Sequence, residues 1–289
     1  MNLIIGSLIV LVSVFGGFMA HGGQLLAVWQ PFEVLIICGA AFGAFVIANP
    51  GKLVLGVLKS IPSLIKGPKY KKQDYMDLLA LLYDLFSKSR RDGLMGIEGD
   101  VEEPQKSELF KKYPSVLKDH HAVAFIQDYM RLIISGSMNP FELENLMDVE
   151  LESHHHTAGE PAHAVSRVAD ALPGFGIVAA VLGIVNTMSA LGGPVEQIGT
   201  KVAAALVGTF LGILLAYGFV GPVSTALERR AKDEAAYFAT IKTCIMASLH
   251  GYTPQIAVEF GRKAMPGELR PAFQELEQHV KQQGQAKKG

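Results

Sequence analysis

Four stretches of the chain carry no Asp, Glu, Lys or Arg: residues 1–32, 34–51, 171–195 and 202–227. A membrane helix needs about 20 mostly apolar residues to cross roughly 30 Å, so the pattern predicts four spans. HGGQ (His21 to Gln24) interrupts the first stretch and places span one at about Asn2 to Ala20. The second stretch is the shortest; Pro31-Phe32 and Leu53 to Leu58 extend it on either side. Span one reads as a retained helix rather than a cleaved signal peptide, because no Lys or Arg precedes its long apolar core.

Elsewhere the apolar positions fall at helical spacing. Met76, Leu78, Leu79, Leu82, Leu85 and Phe86 predict a helix that Gly93 stops, and Val123, Ile126, Tyr129, Met130 and Ile133 predict another. Asn139-Pro140-Phe141-Glu142 is a helix start, with a capping residue, a first-turn proline and a Glu three along. Leu143, Leu146 and Met147 supply the apolar face that follows. Glu228 to His250 reads as a continuing polar helix, and the closing QQGQAKKG as frayed. No β-alternation appears. The expected class is all-α: a polytopic membrane protein with four transmembrane helices and a helical cytoplasmic domain. The expected divisions are 1–55 for spans one and two, 56–170 for the cytoplasmic domain, 171–227 for spans three and four, and 228–289 for a C-terminal helical tail.

Composition agrees with a membrane protein and narrows its chemistry. The chain is 49% hydrophobic and 18% charged, and its net charge of −1 leaves no electrostatic footprint for nucleic acid. Cys38 lies in an apolar run and Cys244 in the polar tail, so both read as reduced, inert thiols. Of 26 basic residues, all but Lys201 fall on one side of the four spans. By the positive-inside rule, the long loop and both termini are cytoplasmic.

Spans three and four present small residues at intervals of four: Gly176 and Ala180, then Gly183 and Thr187, in span three, and Ala204, Gly208 and Gly212 in span four. Such faces let helix backbones approach closely in lipid, and the plainest outcome is that the two spans pack on each other. Pro173 near the start of span three and Pro222 near the end of span four fall at similar depth by the inner face. Pro222 cannot bond the carbonyl of Gly218. The pair forms a candidate hinge. Neither span contains an acid, although membrane proton pathways normally use Asp, Glu or His. Glu33 reads as interfacial. Use of an ion gradient would therefore need a partner to bring the carboxylate.

Other constellations carry less. The run His154 to His156, with His163, suggests a metal, but adjacent helical residues diverge by about 100° and cannot converge on one ion. A solvated face is expected there. GPVEQIGTK (193–201) has the wrong spacing for a phosphate loop. No nucleophile–base pair or dinucleotide loop appears, so the expectation is no enzyme, no metal and no cofactor.

Four long ungapped stretches carry a family resemblance: LPGFGIVAAVLGIV (172–185), VGTFLGILLAYGFVGP (207–222), RLIISGSMNPFELENLMD (131–148) and GYTPQIAVEFGRKAMP (251–266). They resemble the MotA family of flagellar stator subunits, from the first span to about Val280. The resemblance implies a homo-oligomeric ring of five chains in the bacterial inner membrane around two MotB chains. MotB would supply the proton-binding Asp and the peptidoglycan anchor, while cytoplasmic charges push on the rotor protein FliG. By their matching motifs, Pro173 and Pro222 become the coupling prolines, and Arg90 and Glu98 rotor contacts. Glu150 and Asp128 are further candidates, and Arg91 directly follows Arg90. Ala180 and Thr209 line the ion path; Ala180, seven residues after Pro173, stands where sodium-driven relatives carry Thr, which favours protons. Two alternatives differ in class. An ExbB- or TolQ-like energiser would have three spans and an outside N-terminus, and a self-contained transporter is disfavoured by the acid-free spans.

Overall fold

The computed structural model describes residues 2–65, 67–188 and 194–285. Met1, Lys66, residues 189–193 with the Gly193 that opens GPVEQIGTK, and the end of QQGQAKKG lie outside the described residues. The described chain is helical, without a strand among the described residues. In order run α1 (Asn2–Leu11), α2 (Gly17–Ala20), α3 (Leu25–Val28), α4 (Pro31–Ala48), α5 (Gly51–Ile65), α6 (Lys72–Asp92), α7 (Glu98–Glu102), α8 (Glu108–Lys111), α9 (Pro114–Leu117) and α10 (His120–Ser135). Then follow α11 (Pro140–Met188), α12 (Val195–Leu215), α13 (Gly221–Leu249), α14 (Pro254–Ala264) and α15 (Phe273–Gln285).

Candidate membrane-crossing helices fall at Leu3–Ala20, Leu25–Ala48, and within Pro140–Met188 and Ile198–Leu249. Ile4, Leu8, Val12, Leu35 and Ile47 are exposed along them. Contiguous apolar surface of that kind is stable against lipid and not against water. One extension differs from the sequence expectation. Pro50 separates α4 from α5, so Leu53 to Leu58 do not lengthen span two; they open a new amphipathic helix. The helix that carries span three starts well before residue 171: α11 is one helix of 49 residues, and Pro173 lies in its interior rather than at a helix start.

The described chain forms two compact units, 1–67 with 158–230 and 68–157 with 231–289. In the first, Ile37 and Ala41 of α4 bury against Leu172, Ala179 and Ala216, while Phe45 and Val57 bury against Val165 and Leu227. In the second, Leu78, Leu79, Leu81, Leu82 and Leu85 of α6 are fully buried with Ile126, Tyr129, Tyr237, Ile241 and Cys244. The segment after span four thus packs its apolar residues against α6. Its residues complete a core, and burial pushes the Cys244 thiol pKa upward.

Local rules account for the ends of these helices. Gly93, at φ 79°, follows α6 in a conformation costly for any side chain. Asn139 and Glu142 cap α11 reciprocally: Glu142 N–H donates to Asn139 Oδ1 at 3.0 Å, and Asn139 N–H donates to Glu142 Oε2 at 3.1 Å. Asp119 Oδ1 caps α10 by accepting from Ala122 N–H at 3.2 Å.

Candidate functional site

In the membrane unit, the small residues of spans three and four are spent on each other. A Cβ on Gly176 would fall 2.9 Å from the Gly208 carbonyl oxygen and 3.1 Å from Gly212 Cα. A Cβ on Gly183 would meet that of Ala205 at 2.8 Å. Only glycine permits such an approach of α11 and α12. Ala180 and Thr209 flank this seam, both half-buried. The Gly208 side of the seam lies against the Ala180 nitrogen, and the Gly176 side against Thr209 Cα. Thr187 donates its hydroxyl to Gly183 carbonyl at 2.8 Å. The Thr209 hydroxyl makes no side-chain hydrogen bond among the described residues.

Both prolines lie inside helices. Pro173 removes the N–H that would bond the Ala169 carbonyl. Pro222 follows a π-helical turn, Ala216–Val220, in which Gly221 N–H bonds the carbonyl of Ala216, five residues back. A single π turn within an α-helix commonly marks a functional kink. The sequence held only an indirect signal for it, the proline in YGFVGP. At the start of α4, Glu33 is half-buried, with Oε2 enclosed and without a hydrogen-bond partner among the described residues.

The second unit carries the charged candidates. Between residues 90 and 103 most charges are neutralised locally. Arg91 pairs with Asp92 at 2.7 Å, Lys88 with Asp100 at 2.6 Å, Arg131 with Glu102 at 2.7 Å and Lys106 with Glu103 at 2.8 Å. The Arg131 hydrogen bond holds the Glu102 carboxyl below its usual range. Arg90, in the last turn of α6, and Glu98, in the first turn of α7, are exposed and form no ion pair with a described residue. Asp128 lies 3.5 Å from Arg131. Glu150 is exposed on α11 and accepts from the Tyr129 hydroxyl at 2.6 Å. Burial, then that hydrogen bond, keeps the Tyr129 phenol protonated.

Other polar groups hold the unit together. Tyr70 stacks on Tyr237 with ring centroids 3.8 Å apart and donates to Asp119 at 2.6 Å. Burial alone would raise the Asp119 pKa; the Tyr70 bond, Lys69 and the Ala122 N–H outweigh it and lower it. Arg262, only 8% exposed, donates to Glu259 at 2.6 Å and to the Pro271 carbonyl at 2.8 Å. The His run does not lie on a uniformly solvated face. His154 turns inward, its ring 4.7 Å from that of Phe238 and its Nε2 3.9 Å from Glu234, while His155 and His156 are exposed.

Four apolar helices of span length, two of them in close glycine contact, and a second, charged helical unit are the features of a multi-pass membrane protein. Residues 118–240 match the MotA/TolQ/ExbB proton channel family, and residues 4–93 match the family described as Motility protein A N-terminal. The chain is 48% identical over 281 residues to Motility protein A of Salmonella typhimurium, covering 97% of this chain and 95% of that one. It is 40% identical to Chemotaxis protein LafT of Vibrio parahaemolyticus over 283 residues, covering 98% and 99%. The chain belongs to the motility protein A family. A solved structure titled "Structure of C. jejuni MotAB" has the same fold, with a TM-score of 0.75 at 21% identity over 93% of this chain and 97% of that one.

Proposed function

We propose that the chain is the torque-generating stator subunit of a bacterial flagellar motor, seated in the inner membrane with both termini cytoplasmic. Five copies surround two copies of MotB, which brings the proton-binding Asp and the anchor to peptidoglycan. The seam beside Ala180 and Thr209 faces that Asp. A protonatable carboxylate there needs a polar neighbour and no competing charge, and the unbonded Thr209 hydroxyl meets both conditions.

Pro173 and Pro222 act as the hinge. One proton moved across 100 mV releases roughly 2.3 kcal/mol, close to the cost of about 3 kcal/mol for a proline in a helix interior. A helix already interrupted is thus reset by a single ion. Arg90 and Glu98, with Glu150, then push on FliG. Exposed ion pairs are worth only about 0–1 kcal/mol, which suits a surface gripped and released on every step.

The observation that carries the reading is the state of residues 90–103, where, among the described residues, Arg90 and Glu98 alone stay out of ion pairs. The test of the ion half is proton flux into vesicles. The chain with MotB conducts and the chain alone does not, because spans three and four hold no titratable acid. Robust conduction by the chain alone overturns the proposal.

A further inference from the structure

The membrane unit contains a cavity of about 260 Å³ that the glycine seam does not use. Cys38, Phe42 and Phe45 of α4, Leu58 and Ile61 of α5, and Val168 of α11 line it. No lining side chain carries a nitrogen or an oxygen. An ion or polar ligand entering it would surrender hydrogen bonds at a cost of several kcal/mol. Ordered water needs two to four polar partners, which these walls lack. The chemistry selects a hydrocarbon.

Size and the mouth of the cavity narrow the choice. At about 30 Å³ per water-sized group, the space holds a run of roughly eight methylenes. It is too small for a helix, which is about 10 Å across. Leu58 lines the cavity and is nevertheless 49% exposed, so the cavity opens beside α5. On the outer side of α5, Leu55, Leu58 and Ile65 form an exposed apolar stripe, and Lys52 and Lys59 form an exposed row next to it. A helix with that pattern lies at a membrane surface, apolar stripe inward and lysines among headgroups. Exposed Arg167 is one residue from Val168 on the wall and adds a cation at the same level.

We infer that this cavity is a phospholipid site. It takes one acyl chain of an anionic lipid, with the headgroup on Lys52 and Lys59. The inference rests on the membrane reading proposed above and is independent of proton conduction. Its place in the fold gives it leverage. Leu172, directly before Pro173, and Val220, the last residue of the π turn before Pro222, are both wall residues. A bound chain would therefore fill the space beside each helix where its backbone is interrupted.

The test reconstitutes the full chain with MotB in vesicles containing phosphatidylglycerol with a diazirine midway along one acyl chain. Adducts are mapped by mass spectrometry. Adducts are expected to concentrate on Phe42, Ile61 and Val168 over the lipid-facing Leu8 and Val12 of α1. Leu58→Trp should cut wall adducts several-fold and leave those on α1 unchanged. A second measurement needs no substitution. Cys38 is exposed while Cys244 is fully buried, so a decyl methanethiosulfonate attaches at Cys38 alone and should block the wall to the same degree. Equal labelling of wall and α1, or wall labelling unchanged by both blocks, overturns the site. So does capture of MotB or of a second copy by a photoreactive linker on Cys38. Loss of proton flux with wall adducts intact bears on the proposed function and not on the lipid.

Discussion

Gly212 lies so close to Gly176 that a Cβ on it would stand 2.9 Å from Gly176 Cα and 2.7 Å from the Leu172 carbonyl oxygen. Both obstacles are backbone, which has no rotamer to yield. Gly212→Val is therefore expected to separate spans three and four and abolish motility, with the purified chain losing about 2 kcal/mol or more, as overpacked cores do. Gly199→Ala, where a Cβ meets nothing within 4 Å, serves as the control. Normal swimming by Gly212→Val removes the glycine seam from the mechanism.

Reversal of the two unpaired charges tests the rotor surface. The double substitution Arg90→Glu with Glu98→Lys should reduce swimming strongly and leave thermal stability within about 0.5 kcal/mol, the usual range for exposed positions. Complementary reversals on FliG should restore swimming. Arg91→Glu gives a contrast, since Arg91 is held by Asp92. Undiminished swimming by the double reversal would place the rotor contact elsewhere.

Pro173→Ala and Pro222→Ala each restore a backbone donor to an interrupted helix. Assembly with MotB should persist while torque under heavy load is lost. The Pro222 variant should also lose the π turn that precedes it, measurable as a shift in distance between spin labels on either side. If cells carrying either substitution swim at wild-type speed under load, the prolines serve packing alone.

Tyr75 is fully buried and its hydroxyl has no hydrogen-bond partner among the described residues. An unsatisfied buried polar atom costs about 1–3 kcal/mol, whereas the ring makes an edge contact with Tyr237 at 5.1 Å. Tyr75→Phe keeps the ring and removes the orphan. It should raise the unfolding temperature, and a clear loss of stability would show that the hydroxyl has a partner in solution.

Membrane helices and charged candidates were legible in the sequence for different reasons. Uncharged runs of span length and the one-sided lysines and arginines mark the four crossings. The spacing of four marks Gly176, Gly208 and Gly212 as close-packing faces, while which helix meets which is seen only in the structure. The single helix through Pro173 was not legible, because a proline after charged residues reads equally well as a helix start. Neither was the inward turn of His154, which depends on Phe238 in a distant segment. Ion pairs such as Arg131 with Glu102 leave no trace in local pattern, so the isolation of Arg90 and Glu98 emerged only when their neighbours were seen to be occupied. Cys244 and Gly261 show the same limit. They sit in polar stretches, yet a Cβ on Gly261 would overlap the Cys244 sulfur and come 2.9 Å from Leu79.

Tyr70 and Tyr237 stack, and Lys69 pairs with Glu234 across 165 residues of chain. At 5–20 residues per second, synthesis of that interval takes roughly 8–33 s. Throughout it the leucines of α6 have no second half to close against, and spans three and four must pass through the insertion machinery meanwhile. A chain stopped at residue 230 should therefore complete all four crossings and still be degraded; a protease-resistant fragment spanning 68–157 in such cells would contradict this. Birth of the protein thus has an enforced order, insertion before closure, and its most exposed moment is a waiting time that a holding chaperone would have to cover.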